Sequence, residues 1–337
     1  MPHRRANTTR HSLDVPGQPS REYALTLPQG GGALLPLLLY LHGQGDAWPG
    51  NDAMKFDALG NKYGFVVAYP KGLGDYGGSV KDSYIAWNVG LFDHGVERAN
   101  TSCYDDTQGT CYDSCRKADE CSRCGWSTCQ DDVAFISLLI DTLAARHGTN
   151  PRRVYLTGAS NGGMMVHHLA HRLAPKLAAV VPVYGLPLAG FLALPPAAHR
   201  MPIMHMHDRS DDTIPWEGGV SASGWIYEPM STVLAEWGRL HGCSTSRKLI
   251  GLATPHDGGA ANLYCQTSRG CLLAAETAPP PPTSSSMPQS PAAAAAAERA
   301  RRAPRVVQCL FDGGHGTWPE QIEEVVWWFL EDKVRAD

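Results

Sequence analysis

Three short stretches of this sequence carry residue types that can work together on a carbonyl carbon. The first is Gly158-Ala159-Ser160-Asn161-Gly162. It follows Arg153-Val154-Tyr155-Leu156-Thr157, whose β-branched and aromatic residues predict a strand, and leads into Gly163-Met164-Met165-Val166-His167-His168-Leu169, which predicts a helix. A serine on a sharp strand-to-helix turn needs strained backbone angles, and glycines on either side remove side chains that would collide there. The second stretch, Asp208-Arg209-Ser210-Asp211-Asp212, offers a carboxylate, and the third, Asp312-Gly313-Gly314-His315-Gly316, offers an imidazole. A serine hydroxyl is a poor nucleophile until an imidazole takes its proton, and the imidazole needs a carboxylate to hold its tautomer and stabilise the imidazolium. Taken singly, each stretch is a solvated turn. What joins them is position, because each comes directly after a strand-like run.

The elements that must position these residues alternate along the chain. Arg21 to Pro28 alternates as an edge strand, and the continuous apolar run Leu34 to Leu41 reads as a strand covered on both faces. A helix from Asp52 to Tyr63, a strand from Gly64 to Pro70 and a helix from Asp131 to Arg146 precede the serine turn. Strands at Leu177 to Tyr184, Met201 to His207 and Arg305 to Phe311 follow it, with helices at Glu228 to His241 and Glu320 to Val334. This rhythm predicts an α/β fold, a doubly wound and mostly parallel sheet with helices on both faces, in which ligands meet the carboxyl ends of the strands. An oxyanion there needs donors fixed beforehand. The backbone N–H of Asn161, at the start of the helix, is one; the loop after Leu34 to Leu41 supplies the other, assigned to Gln44. Both are backbone groups, so side-chain changes at the two positions are expected to be mild.

The chain of 337 residues is read as a single domain over residues 20–337, preceded by a polar N-terminal arm, residues 1–19. Residues 71–130 form a Cys-rich insertion, and the proline, serine and alanine tracts of residues 276–304 cannot build a core and read as disordered. The net charge of −4 gives no basic stripe, so no nucleic acid or anionic membrane surface is expected as a partner. No apolar run approaches the roughly 18 residues of a membrane span. His167 and His171 share a helix face, but no glutamate sits as in His-Glu-x-x-His, so neither a metal nor any other cofactor is expected.

Ten cysteines, six of them (Cys103, Cys111, Cys115, Cys121, Cys124 and Cys129) in one polar loop, argue for disulfides and a secreted protein. Sequons at Asn7 and Asn100 fit that expectation, although Met1-Pro2-His3-Arg4-Arg5 leads into no apolar signal region. For the remaining four cysteines the expected pairs are Cys265 with Cys271 and Cys243 with Cys309.

The order serine, acid, histidine is that of the α/β-hydrolases. Leu41-His42-Gly43, Trp87-Asn88, Asp131-Asp132-Val133, Ser160-Asn161-Gly162-Gly163, His207-x-x-x-Asp211-x-x-Ile214-Pro215, and Gly313-Gly314-His315 with Trp318-Pro319 resemble the polyhydroxybutyrate depolymerase and feruloyl esterase group of secreted α/β-hydrolases. The resemblance runs from about residue 20 to the C-terminus. It implies Asp211 as the acid among the three aspartates, beside Ser160 and His315. It further implies a serine carboxylic ester hydrolase acting through an acyl-enzyme on a hydroxycinnamoyl ester or a hydroxyalkanoate polyester. Three departures, Asp208 in place of a frequent glycine, one extra residue before Trp318-Pro319 and a longer cysteine loop, bear on the substrate. A serine peptidase and a catalytically silent binding protein on the same scaffold are the alternatives. Trp87, Trp126, Trp216 and Trp225 are candidates to wall the cleft.

Overall fold

The computed structural model describes residues 8–49, 53–76, 79–80, 84–90, 112–117, 127–193, 200–222, 224–250, 263–271 and 305–335. The low-complexity stretch 276–304, both sequons' asparagines, Trp126, and Cys103, Cys111, Cys121 and Cys124 lie outside the described residues.

One ten-stranded sheet organises the chain. The strands β3 (Leu35–Leu41), β4 (Val66–Pro70), β7 (Thr149–Ala159), β8 (Ala179–Val183), β9 (Ile203–Asp208) and β14 (Val306–Phe311) run parallel in the spatial order β4-β3-β7-β8-β9-β14. At one edge β2 (Arg21–Thr26) pairs antiparallel with β4, and β1 (Thr8–Leu13) with β2. At the other, β13 (Tyr264–Ser268) pairs antiparallel with β14, and β12 (Arg247–Leu249) with β13. Two short ribbons, β5 (Asp75–Tyr76) with β6 (Ser79–Val80) and β10 (Gly219–Val220) with β11 (Ile226–Tyr227), stand apart. The helices are α1 (Ala53–Tyr63), α2 (Asp113–Lys117), α3 (Asp132–His147), α4 (Asn161–Arg172), α5 (Met230–Leu240) and α6 (Ile322–Leu330).

The period-two rule of a strand divides the core between the two faces of the sheet. Leu37, Leu39 and Leu41 join Val180 and Ile203 beneath α3, α4 and α5, whereas Leu38 and Tyr40 join Val181, Met204 and Met206 beneath α1 and α6. Helix α3 begins where the side chain of Asp131 accepts the N–H of Ala134 at 2.9 Å, and stops at Gly148, which adopts a left-handed φ of 62°. Among the described residues no helix is long and apolar enough to cross a membrane.

Two sequence expectations need correction. The N-terminal arm is not wholly loose: Thr8–Leu13 is the outermost strand, in register from Thr8 opposite Thr26 to Leu13 opposite Arg21, so β2 is not the edge. The polar composition misled because an outer strand with a wet face needs few apolar residues. Among the described residues the disulfides are Cys243 with Cys271 and Cys265 with Cys309, the reverse of the expected pairing. Cys265 and Cys309 are direct register partners on β13 and β14, and such cross-strand neighbours cannot be read from sequence spacing. Peptide mapping of the non-reduced protein is expected to recover these two links. Replacing Cys265 and Cys309 together by serine is expected to lower stability in urea titration by about 2–4 kcal/mol.

Candidate active site

The first strand-end turn is built by exclusion of side chains. Ser160, between β7 and α4, has φ 55° and ψ −123°, and its N–H donates to the Val183 carbonyl at 3.1 Å. A Cβ added to Gly162 would stand 2.2 Å from the carbonyl oxygen of Leu41, and one at Gly158 would stand 2.8 Å from that same oxygen. Only glycine lets α4 begin this close to β3.

The other two turns bring their side chains to Ser160. Its Oγ lies 2.9 Å from His315 Nε2, and His315 Nδ1 lies 2.8 Å from Asp211 Oδ2. The Asp211 side chain is wholly buried and that of His315 is 21% exposed. Burial pushes the Asp211 carboxyl up. Hydrogen bonds from His207, His315 and the Ile214 N–H outweigh it and hold the group at about 2. An ionised Asp211 accepts, so His315 donates from Nδ1 and turns the lone pair of Nε2 to the serine. Asp208, fully buried at the end of β9, ties the turns together by accepting the Gly314 N–H at 2.8 Å and the Ser210 N–H at 2.6 Å. Tyr184 packs edge-on to the His315 ring at 5.3 Å.

Gln44 and Asn161 line one pocket with Ser160 and His315. The N–H groups flanking Gln44 are engaged, Gly43 with the Asp46 carboxylate at 2.6 Å and Gly45 with the Ile85 carbonyl at 2.9 Å. The two side chains also make hydrogen bonds of their own. Asn161 Oδ1 accepts the buried Trp87 N–H at 2.8 Å, and the Gln44 amide donates to the Tyr112 hydroxyl at 3.1 Å.

Beneath the pocket the other sequence markers form one buried network. Trp87 donates from Nε1 to the His42 carbonyl at 2.9 Å, and His42 accepts the Gly72 N–H at 2.9 Å on Nε2. Asp132 receives Arg21 at 2.5 Å and the Asn88 N–H at 2.7 Å, both ion-pair side chains being fully buried. Of the tryptophans named from sequence, Trp225 lines the pocket with Met164, Ile214 and Tyr227, whereas Trp87 supports it from below and Trp216 packs at the core's margin. The pocket has a volume of about 160 Å³.

Sequence reasoning passed over the supporting roles of Asp208 and Tyr184 and treated His207 only as part of a motif. The pattern His205-Met206-His207 holds the missed signal, since alternate residues of a strand share a face. His167, weighed with His171 as a helix pair, turns its Nε2 to His205 Nδ1 at 2.9 Å.

The parallel sheet, the turn at Ser160 and the strand-end placement of Asp211 and His315 define an α/β-hydrolase fold. An acetyl xylan esterase from Aspergillus awamori superposes over 95% of this chain and 98% of its own with a TM-score of 0.53 at 13% identity, a likeness of fold. No family model matches the sequence. In sequence the chain is 27% identical over 184 residues to a bifunctional acetylxylan esterase/xylanase of Neocallimastix patriciarum, covering 54% of this chain and 20% of that protein. It is 27% identical over 161 residues to poly(3-hydroxyalkanoate) depolymerase C of Paucimonas lemoignei, covering 48% of this chain and 30% of that one. The match therefore spans less than a third of either relative's length. These relatives support the resemblance to a polyhydroxybutyrate depolymerase and feruloyl esterase-like group of α/β-hydrolases.

Proposed function

We propose that this chain is a secreted serine carboxylic ester hydrolase that works through an acyl-enzyme. The observation that carries the reading is the unbroken line from Ser160 Oγ through His315 to the buried Asp211, with contacts of 2.9 and 2.8 Å at the mouth of a pocket. Ser160 Oγ attacks the ester carbonyl carbon while its proton passes to His315 Nε2. The backbone N–H groups of Gln44 and Asn161 receive the oxyanion. Collapse of the tetrahedral species breaks the ester C–O bond, and His315 returns the proton to the leaving alcohol. Water then repeats the sequence on the acyl-enzyme and regenerates the serine. The disulfides support secretion.

The substrate reading rests on pocket size and on the relatives' names, which point to acetylated xylan and to polyhydroxyalkanoate. An apolar cavity of about 150 Å³ holds a benzene molecule. The pocket here, walled by Met164, Ile214, Trp225 and Tyr227, has about the same volume and suits a short acyl group or a single aromatic ring better than a long alkyl chain. An ester panel tests this. The kcat/KM for an acetyl or feruloyl ester is expected to exceed that for a long-chain fatty acyl ester by about tenfold or more, a gap of about 1.4 kcal/mol in transition-state binding. Preference for the long chain would overturn the substrate reading, and turnover of no ester would overturn the activity.

A further inference from the structure

Behind Asp211, on the side away from Ser160, three fully buried histidines stand in a hydrogen-bonded column. His167 Nε2 lies 2.9 Å from His205 Nδ1, His205 Nε2 lies 2.9 Å from His207 Nδ1, and His207 Nε2 lies 2.8 Å from the Ile214 carbonyl oxygen and 3.3 Å from Asp211 Oδ2. The rings of His205 and His207 stack nearly parallel, 6° apart in plane. The triad mechanism makes no use of these side chains.

The protons of the column follow from its lower end. A carbonyl and a carboxylate oxygen only accept, so His207 carries its proton on Nε2 and leaves Nδ1 as an acceptor. His205 must then donate from Nε2, and by the same step so must His167. The upper end agrees: His167 Nδ1 is buried with no hydrogen-bond partner among the described residues, which a lone pair tolerates better than an N–H would. Burial pushes His167 down to about 3 and His205 well below the usual imidazole range, so those two rings stay neutral and hold their polarity.

We propose that His207, its tautomer locked by His205 and His167, is a positioning residue for Asp211: it supplies a second N–H to the carboxylate oxygen that His315 uses. The proposal rests on the esterase reading above. Asp211 Oδ1 is taken by the N–H groups of Thr213 at 3.0 Å and Ile214 at 2.8 Å, which leaves Oδ2 to be shared between two imidazoles. A donor on Oδ2 fixes the plane of the carboxylate and draws off part of its charge, so that Asp211 steers His315 without over-stabilising the imidazolium. The titratable groups facing Asp211 are His207 from β9, His315 from the loop after β14 and Tyr227 from β11. Asp208 is turned onto Ser210 and Gly314.

The test compares His207→Phe, which keeps a ring without a donor, with His207→Gln, whose amide can donate from the Nε2 position. On an activated acetyl ester, His207→Phe is expected to lose about tenfold to a hundredfold in kcat with KM little changed. Its acid limb in kcat/KM should move to higher pH, because a carboxylate relieved of one donor holds the His315 imidazolium more strongly. His207→Gln should restore the limb and most of kcat. A His207→Phe protein with wild-type kcat and an unmoved limb, or equal impairment of both variants, would overturn the proposal. Should both variants fail to fold, nitrogen-15 spectra of histidine-labelled wild type decide. Nε2–H tautomers of His167, His205 and His207, with His167 and His205 not titrating between about pH 5 and 8, support the column, and an Nδ1–H tautomer in any of the three overturns it. Those spectra do not depend on turnover. A wild type that hydrolyses no ester would bring down the esterase reading while they still report on the column.

Discussion

Replacing Ser160 by alanine is expected to lower kcat by about a thousandfold or more while leaving KM within a fewfold of wild type. The asymmetry follows from the site. The alanine removes the atom that attacks, but it leaves Met164, Ile214, Trp225 and Tyr227 to bind the acyl group and Gln44 and Asn161 at the pocket wall. A fluorophosphonate probe should label wild type at Ser160 and leave the variant unlabelled. Labelling of another serine, with Ser160→Ala fully active, would remove the basis of the proposed mechanism. The substitution is not expected to unfold the protein, because the Ser160 side chain satisfies no buried partner other than His315 among the described residues.

The second large effect is expected at Asp211, where asparagine should reduce kcat by about 10³- to 10⁴-fold, through the tautomer rather than through charge alone. Thr213 and Ile214 hold the carbonyl end of the new amide by their N–H groups, so its NH₂ meets His315 Nδ1. His315 must then move its proton to Nε2 and presents N–H, not a lone pair, to Ser160. Asp208→Asn should cost about tenfold or less, since its NH₂ must face the Ser210 or Gly314 N–H and loosens that turn but leaves the His315 tautomer in place, and exposed Asp212 should tolerate the change. Equal losses at all three positions would mean that the acid is misassigned. A stability profile adds a check with a defined sign. The folded-state carboxyl sits at about 2, below its unfolded value of about 3.9, so its contribution is full above about pH 4 and is lost as the pH falls toward 2. The asparagine variant should lack that component.

How much of this was legible depended on which force set each feature. The parallel strands were readable because Leu35–Leu41, Ala179–Val183 and Val306–Phe311 are buried on both faces and so are almost wholly apolar, Gln308 excepted. The turn at Ser160 was readable because crowding against the Leu41 carbonyl admits only glycine. Thr8–Leu13 was not, because an outer strand is held by backbone hydrogen bonds that any sequence can make. The disulfide pairs and the histidine column were hidden for a related reason. Cys265 opposite Cys309, and His167 against His205, are meetings across the sheet and between layers, set by register and packing rather than by spacing along the chain.

The topology has a consequence for how the chain matures. Although β14 is the last strand made, it lies between β9 and β13, so the hairpin of β12 and β13 has no place in the sheet until residues 306–311 arrive. As the chain emerges, Cys243, Cys265 and Cys271 are all available before Cys309 exists, and closing the short loop from Cys265 to Cys271 costs less entropy than either native link. A Cys265–Cys271 bond formed at that stage would be non-native. It would have to be undone by thiol exchange before Cys309, set against Cys265 by the register of β14, could pair. The loop after the same strand carries His315 to Ser160, so the Cys265–Cys309 bond and the Ser160–His315 contact both need β14 in place.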